Sequence, residues 1–292
     1  MEKASRALLP GVLFATVLAG ALRLIGLGTV PVALYCDEAF NGYEAWCLLQ
    51  TGHDSHGVLL PLFFDIFGKG WSEPLYIYLT VPAVALFGLT PFAARFVAAM
   101  AGTLLVPITG LMCATLVRGQ VGPRTAARAG VAASILMAIS PWPFHLSRVA
   151  FQASLLPLAL AAGFWLAARA VSDAVSDRAN VPPRVRPGLL AAGALLLGLS
   201  LYTYTISRLA MPLMVAGFIW LHRRRISASR RAWLLAALVL ASLALPIAAF
   251  SLSTRGQQRF SSVAINRRED LQSAGPLQIA AAAGANYLSY YS

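Results

Sequence analysis

The chain has 292 residues, of which 58% are hydrophobic and 12% charged, and its mean hydropathy is +0.69. A water-soluble domain of that length needs far more charge to cover its surface, so a soluble globular protein is excluded. The net charge of +12 is carried by arginines set between apolar runs, the distribution of orientation determinants in membrane proteins rather than of a nucleic-acid surface.

In chain order, apolar runs fall at about 8–28, 74–89, 92–117, 126–144, 149–170, 188–206, 205–221 and 232–250. A bilayer span takes about 17–25 such residues. The first run is too long for the apolar core of a cleaved signal peptide and reads as a retained span. The run 74–89 is the weakest, being short and holding Pro74 and Pro82.

Charge bias decides how this weak run is used. If 74–89 lies along the outer surface, the basic loops 118–128, 169–186 and 222–231 share the side of Lys3 and Arg6, and fourteen of the 23 Lys and Arg residues are cytoplasmic. If it crosses, twelve of those fourteen move outside. The expectation is therefore an all-α polytopic bundle of seven crossings over residues 1–292, with the N-terminus cytoplasmic. A long outer loop at about 29–91 carries the juxtamembrane helix 74–89, and an outer tail begins at about 251. That tail ends without a further span, and a C-terminally shortened chain is expected.

Six of the eleven acidic residues lie in the long outer loop: Asp37, Glu38, Glu44, Asp54, Asp65 and Glu73, with Lys69 as the only basic residue among them. The stretch 37–50 reads as a helix stopped near Thr51-Gly52. On it Asp37, Asn41 and Glu44 share one face, and Tyr43 and Trp46 are suited to packing a sugar ring. Asp37 is a candidate for acid–base chemistry with Glu38 beside it, although an Asp at a helix start also serves as a plain cap. His53, Asp54 and His56, in TGHDSHG, are candidate ligands of a divalent metal, against the alternative of a solvated turn. Cys36 and Cys47 share this loop and pair if it faces an oxidising compartment, whereas Cys113 lies in a span and reads as packing.

Ser147-Arg148 and Ser207-Arg208 each supply the only charge in an outer turn. Either arginine snorkels to the interface, or both guanidiniums converge on a phosphate, for which Arg has bidentate geometry. Tyr202, Tyr204 and Trp142 are near in sequence, and Arg95, just inside the second crossing, is a third candidate.

Several stretches together resemble the GT-C membrane glycosyltransferases: the acidic pair after the first span, the turn TGHDSHG, the segment PLYIYL and the run Arg95–Leu104. SPWPFHLSRVAFQASLLPL and GLSLYTYTISRLAMPL are similar to the bacterial branch of protein O-mannosyltransferases and aminoarabinose transferases. The resemblance covers roughly residues 8–292. It implies transfer of a sugar, with inversion, from a polyprenyl-phosphate donor to a lipid, glycan or protein acceptor on the periplasmic face of the inner membrane. It places catalysis on Asp37 with Glu38 adjacent. The substrate- and phosphate-binding candidates are then Arg148, Arg208, Lys69, Glu44, Tyr202, Tyr204 and Arg95. The chain departs from the family where many members carry Lys-Pro-Pro or His-Pro-Pro, because Trp71-Ser72-Glu73-Pro74 stands there. The competing expectations are a transporter or flippase without covalent chemistry, and an inactive homologue acting as an assembly subunit.

Overall fold

The computed structural model describes residues 2–68, 70–118, 120–172, 185–226, 229–257 and 275–289. Arg178 and Arg184 of the basic loop 169–186, and Glu269 and Asp270 of the tail, lie outside them. The described residues are almost wholly helical, and the chain divides into two compact units.

The larger unit holds residues 1–62 and 73–245. Its helices are α1 (Glu2–Leu24), α2 (Cys36–Thr51), α3 (Leu75–Phe87), α4 (Pro91–Val117), α5 (Pro123–Ile139), α6 (Pro141–Leu146), α7 (Leu155–Ser172), α8 (Pro187–Ser200) and α9 (Ser207–Ile226), followed by the greater part of α10 (Arg230–Leu252). Every apolar run of the sequence contains a helix, although the runs 8–28 and 188–206 stop being helical at Leu24 and Ser200. Three helices are long and apolar enough to cross a bilayer: Pro91–Val117, the stretch Gln152–Val171 that includes α7, and Arg230–Leu252. The stretches Leu8–Leu24, Leu75–Phe87 and Pro187–Ser200 are apolar but shorter.

Two runs are interrupted where they were expected to be continuous. The run 126–144 breaks at Ser140, whose extended backbone (ψ 126°) precedes Pro141, and a new short helix starts with that proline as its first residue. The run 149–170 becomes α-helical only at Leu155, after a 3-10 turn at Gln152–Ser154. The reason is tertiary: both the N–H and the C=O of Ala150 are taken by side chains of α2.

Helices α1, α4 and α5 pack together, and α7 packs on α4 and α8. Small residues allow close approach, as is usual between helices in lipid. A Cβ on Gly130 would stand 2.7 Å from the Gly110 carbonyl oxygen, and one on Gly193 would stand 2.8 Å from that of Gly163.

Polar side chains then tie loop-bearing helix ends to one another. Arg95, in the second turn of α4, donates to the carbonyls of Leu27, Pro31 and Ala33, which joins the exit of α1 to the entry of α4. Arg148, just after α6, donates to Leu22, Arg23, Ile25 and Val30. The N–H of Leu75 bonds the Tyr202 carbonyl at 3.2 Å, and Glu73 meets Arg208 at the start of α9. One end of this unit therefore gathers the exits of α1, α5 and α8 and the entries of α4, α7 and α9.

Helix α3 lies across the start of α4 rather than along its length. Tyr76, at its beginning, donates to Ala94 O at 2.7 Å, while Phe87, at its end, packs on Phe92 and Phe96. Thirteen residues measure about 20 Å, so two parallel axes would place those contacts several turns apart. Burial pushes the Tyr76 phenol far above its ordinary pKa, which keeps it a hydrogen donor.

The smaller unit comprises residues 63–72 and 246–292. In it β1 (Phe64–Asp65) pairs antiparallel with β2 (Trp71–Ser72). The hairpin turn is held by Asp65, which accepts from Gly68 N at 2.9 Å. Phe250 stacks on Phe63 and meets Trp71 edge-on, and a further helix runs over Pro276–Ser289.

Candidate active site

Helix α2 carries Asp37, Glu38 and Glu44, and its buried face sets Glu38, Asn41 and Glu44 among Phe40, Ala45, Cys47 and Leu48. Its entry is built as half a capping box, with Glu38 Oε2 accepting from Tyr35 N at 3.0 Å. Its exit is Gly52, whose φ of 73° suits glycine and whose N–H bonds Leu48 O. Glu38, Asn41 and Glu44 are each at most 2% exposed, whereas Asp37 on the same first turn is half-buried.

Glu38 is saturated. Its Oε1 accepts from Arg95 Nε at 2.8 Å and from Ala150 N at 2.8 Å, and its Oε2 accepts from Arg95 Nη2 at 3.0 Å as well as from Tyr35. Burial pushes this carboxyl upward in pKa, but the Arg95 guanidinium and the two backbone N–H groups outweigh it and hold it below the ordinary carboxylate value. Asn41 extends the network, donating to Ala150 O at 2.9 Å and accepting from Gln152 at 3.0 Å. A hydrophobic ladder would be the usual way to seat such a helix. Here α2 is pinned to the strip 150–152 by hydrogen bonds instead.

Asp37 has no such partners. Its only side-chain hydrogen bond among the described residues is a long one from the neighbouring Cys36 Sγ, at 3.7 Å. Two adjacent acids thus have opposite environments: Glu38 is consumed in holding the helix, and Asp37 keeps an accessible carboxylate.

Arg148 and Arg208, expected to converge on a phosphate, are bound to different protein groups among the described residues. Arg148 Nη1 spans the carbonyls of Leu22, Arg23 and Ile25 at 2.8–3.0 Å, and Nη2 reaches Val30 O at 3.0 Å. The four C-terminal carbonyls of a helix lack partners within it and form the negative end of its dipole, and a buried guanidinium answers both needs. Burial and the charge of Arg95 lower the Arg148 pKa without discharging it. Arg208 Nη2 instead pairs with Glu73 Oε1 at 3.1 Å, an oxygen that also accepts from Thr205 at 2.6 Å. Arg95 serves Glu38 and the loop after α1.

The remaining candidates divide in the same way. Tyr202 is buried and donates to Leu243 O at 2.8 Å, while Tyr204 packs on Phe151. Lys69 lies outside the described residues. Glu44 accepts from Ser55 N at 3.0 Å and from Ser55 Oγ, and so supports the turn after α2. Asp54 Oδ1 caps the same turn through His56 N and Val58 N, and His53 Nδ1 bonds Thr51 O. Among the described residues no three His, Cys, Asp or Glu side chains come together to hold a metal, so His53, Asp54 and His56 do not form the expected ligand set. Their polar atoms are used by the turn itself. Cys36 and Cys47 are unpaired, for a simple reason. Eleven residues of one helix separate them by about 16 Å, far beyond disulfide reach.

Arg23 was not among the expected site residues. It is fully buried and donates to Ala138 and Ala19 carbonyls at 3.1 and 3.3 Å. Its signal was available, because it is the one charged residue in the run 8–28. With Arg95 and Arg148 it makes three buried guanidiniums around one loop.

A cavity of about 550 Å³ adjoins this cluster, lined by Ala21, Leu22, Ile25, Val30, Pro31, Phe144, His145 and Arg148. Its walls are apolar apart from the imidazole and the guanidinium. The carbonyl bonds of Arg148 commit Nη1 and one Nη2 hydrogen, leaving Nε and the second Nη2 hydrogen for a ligand. The loop that carries Asp37 walls this cavity through Val30 and Pro31. No protein-family model, curated protein or solved structure matches the chain.

Proposed function

We propose that the chain is a seven-crossing membrane glycosyltransferase that moves a sugar from a polyprenyl-phosphate donor to a hydroxyl acceptor on the extracytoplasmic face. The observation that carries the reading is the division of labour at the start of α2. Glu38 is locked to Arg95, and beside it Asp37 has only the long bond from Cys36 Sγ among the described residues, which leaves its carboxylate open to an acceptor.

The topology supports the parity drawn from charge. The exit of α1 and the entry of α4 are joined by Arg95, and the intervening α3 lies across α4, so the segment 29–91 begins and ends on one side. In the proposed reaction the acceptor oxygen attacks C1 of the sugar as Asp37 takes its proton. The bond from C1 to the phosphate oxygen breaks, polyprenyl phosphate leaves with the electron pair, and the configuration at C1 inverts. The uncommitted N–H groups of Arg148 stabilise the charge that grows on that leaving group. The apolar walls of the adjoining cavity suit the first prenyl units. Buried charge at one end of the helices, rather than at their middle, favours interfacial chemistry over transport through a mid-membrane site.

The test is transfer from a radiolabelled polyprenyl-phosphate sugar in reconstituted vesicles. Asp37→Asn is expected to lose about 10²–10⁴-fold in rate, the usual contribution of a general base, with abundance and insertion unchanged. Full activity in that variant removes Asp37 from the mechanism. Label that moves across the bilayer while still on its carrier would establish the flippase instead, and a wild-type chain inert in both assays would favour the assembly subunit.

A further inference from the structure

The end of the larger unit away from Asp37 carries a second feature that the proposed transfer does not use. Between α7, α8, α9 and α10 lies a cleft of about 110 Å³. Its lining is wholly apolar in character, with Phe164, Ala167, Leu197, Phe218, Trp233 and Leu240 contributing from all four helices. Trp233 stands in the first turn of α10, and its indole N–H is buried with no hydrogen-bond partner.

The rim of this cleft is basic. Arg230 and Arg231 open α10 immediately before Trp233, and Arg223 closes α9. All three are exposed, and Arg223 lies over the Trp220 ring at 4.9 Å. The stretch 222–231, HRRRISASRR, holds five arginines and no acid. An apolar slot between helices whose adjoining turns carry exposed guanidiniums describes complementarity to a molecule with a hydrocarbon chain and a phosphate.

We infer that this cleft is a binding site for an anionic phospholipid of the cytoplasmic leaflet. One acyl chain enters between Phe218 and Leu240, and the phosphate rests against Arg223, Arg230 and Arg231. The inference rests on the membrane character of the chain and not on the proposed glycosyl transfer. Juxtamembrane arginine clusters are drawn to anionic headgroups, roughly fivefold in affinity for each residue.

The experiment is a lipid titration of the full chain in mild detergent, read by native mass spectrometry, with phosphatidylglycerol, phosphatidylcholine and soluble glycerol phosphate as probes. Phosphatidylglycerol is expected to bind at least about tenfold tighter than phosphatidylcholine. Arg223→Gln/Arg230→Gln/Arg231→Gln, which alters only exposed positions, is expected to abolish that preference. Quenching of Trp233 by phosphatidylglycerol with brominated acyl chains is expected in the wild type and absent in Trp233→Phe. Equal binding of the two phospholipids, an undiminished preference in the triple variant, or glycerol phosphate competing as well as the intact lipid would each overturn the inference.

Discussion

The buried pair of Glu38 and Arg95 predicts a specific pattern of stability when it is taken apart. Arg95→Met keeps most of the side-chain volume and deletes two bonds to Glu38, at 2.8 and 3.0 Å, together with those to Leu27, Pro31 and Ala33. Glu38, 2% exposed, would keep only the N–H groups of Tyr35 and Ala150. Stranding one partner of a buried ion pair costs about 3–5 kcal/mol. Glu38→Gln is expected to cost less, about 1–3 kcal/mol, because the amide still accepts at one atom but turns its NH₂ toward donors. With both changes no buried charge is stranded, so the double variant should recover about 2 kcal/mol relative to the sum of the single ones. Reversible unfolding in mixed detergent micelles, followed by tryptophan fluorescence, measures the cycle. Additivity within about 0.5 kcal/mol would show that the two groups do not hold one another, and the anchoring of Asp37 would lose its basis.

Four further outcomes follow from the same geometry. The depressed pKa of Glu38 makes its stabilisation complete above the unfolded value of 4.5 and lost as pH falls through the lower folded value; acid melting should therefore flatten in Glu38→Gln. Asp37→Asn, by contrast, should change stability by less than about 0.5 kcal/mol in the same unfolding assay, since its one bond among the described residues is the long one from Cys36 Sγ, which an amide oxygen also accepts. A membrane-impermeant maleimide added from outside should label exposed Cys36 quickly and Cys47 only after denaturation, because Cys47 is buried and burial raises its thiol pKa. Gly130→Val should destabilise the α4–α5 contact by about 1–3 kcal/mol, measured as a shift of the unfolding midpoint, because a Cβ there already stands 2.7 Å from Gly110 O.

Much of the helical layout could be read from residue pattern because it depends on local properties. The eight apolar runs, the helix over 37–50 and its stop at Gly52 follow from periodicity and from glycine's access to positive φ. The break at Ser140 was signalled by Pro141 and Pro143, yet a run of apolar letters concealed it. The roles of the polar residues were less legible. Which of two adjacent acids is buried depends on an arginine 57 positions away, and which arginine faces a ligand depends on carbonyls more than 100 positions away. The spacing of Ser147-Arg148 and Ser207-Arg208 suggested a shared target. Helix ends in an apolar setting compete for the same guanidiniums, and at Arg148 the end of α1 takes most of them.

That competition also bears on what a buried arginine means in such a protein. An arginine inside an apolar bundle is by default a candidate for ligand chemistry. Arg23, Arg95 and Arg148 show a prior demand, since eight of their ten hydrogen bonds to backbone carbonyls go to residues 19–33 and the other two to the end of α5, and Glu38 is their sole carboxylate partner among the described residues. Carbonyl dipoles orient a guanidinium but do not neutralise it, so the cluster retains net positive charge beside the cavity that Arg148 lines. A structural clamp and an electrostatic seat for an anion are then the same object. The clamp ties the loop after α1 to the entry of α4 and to the turn after α6, and through that loop it positions the start of α2, where Asp37 stands.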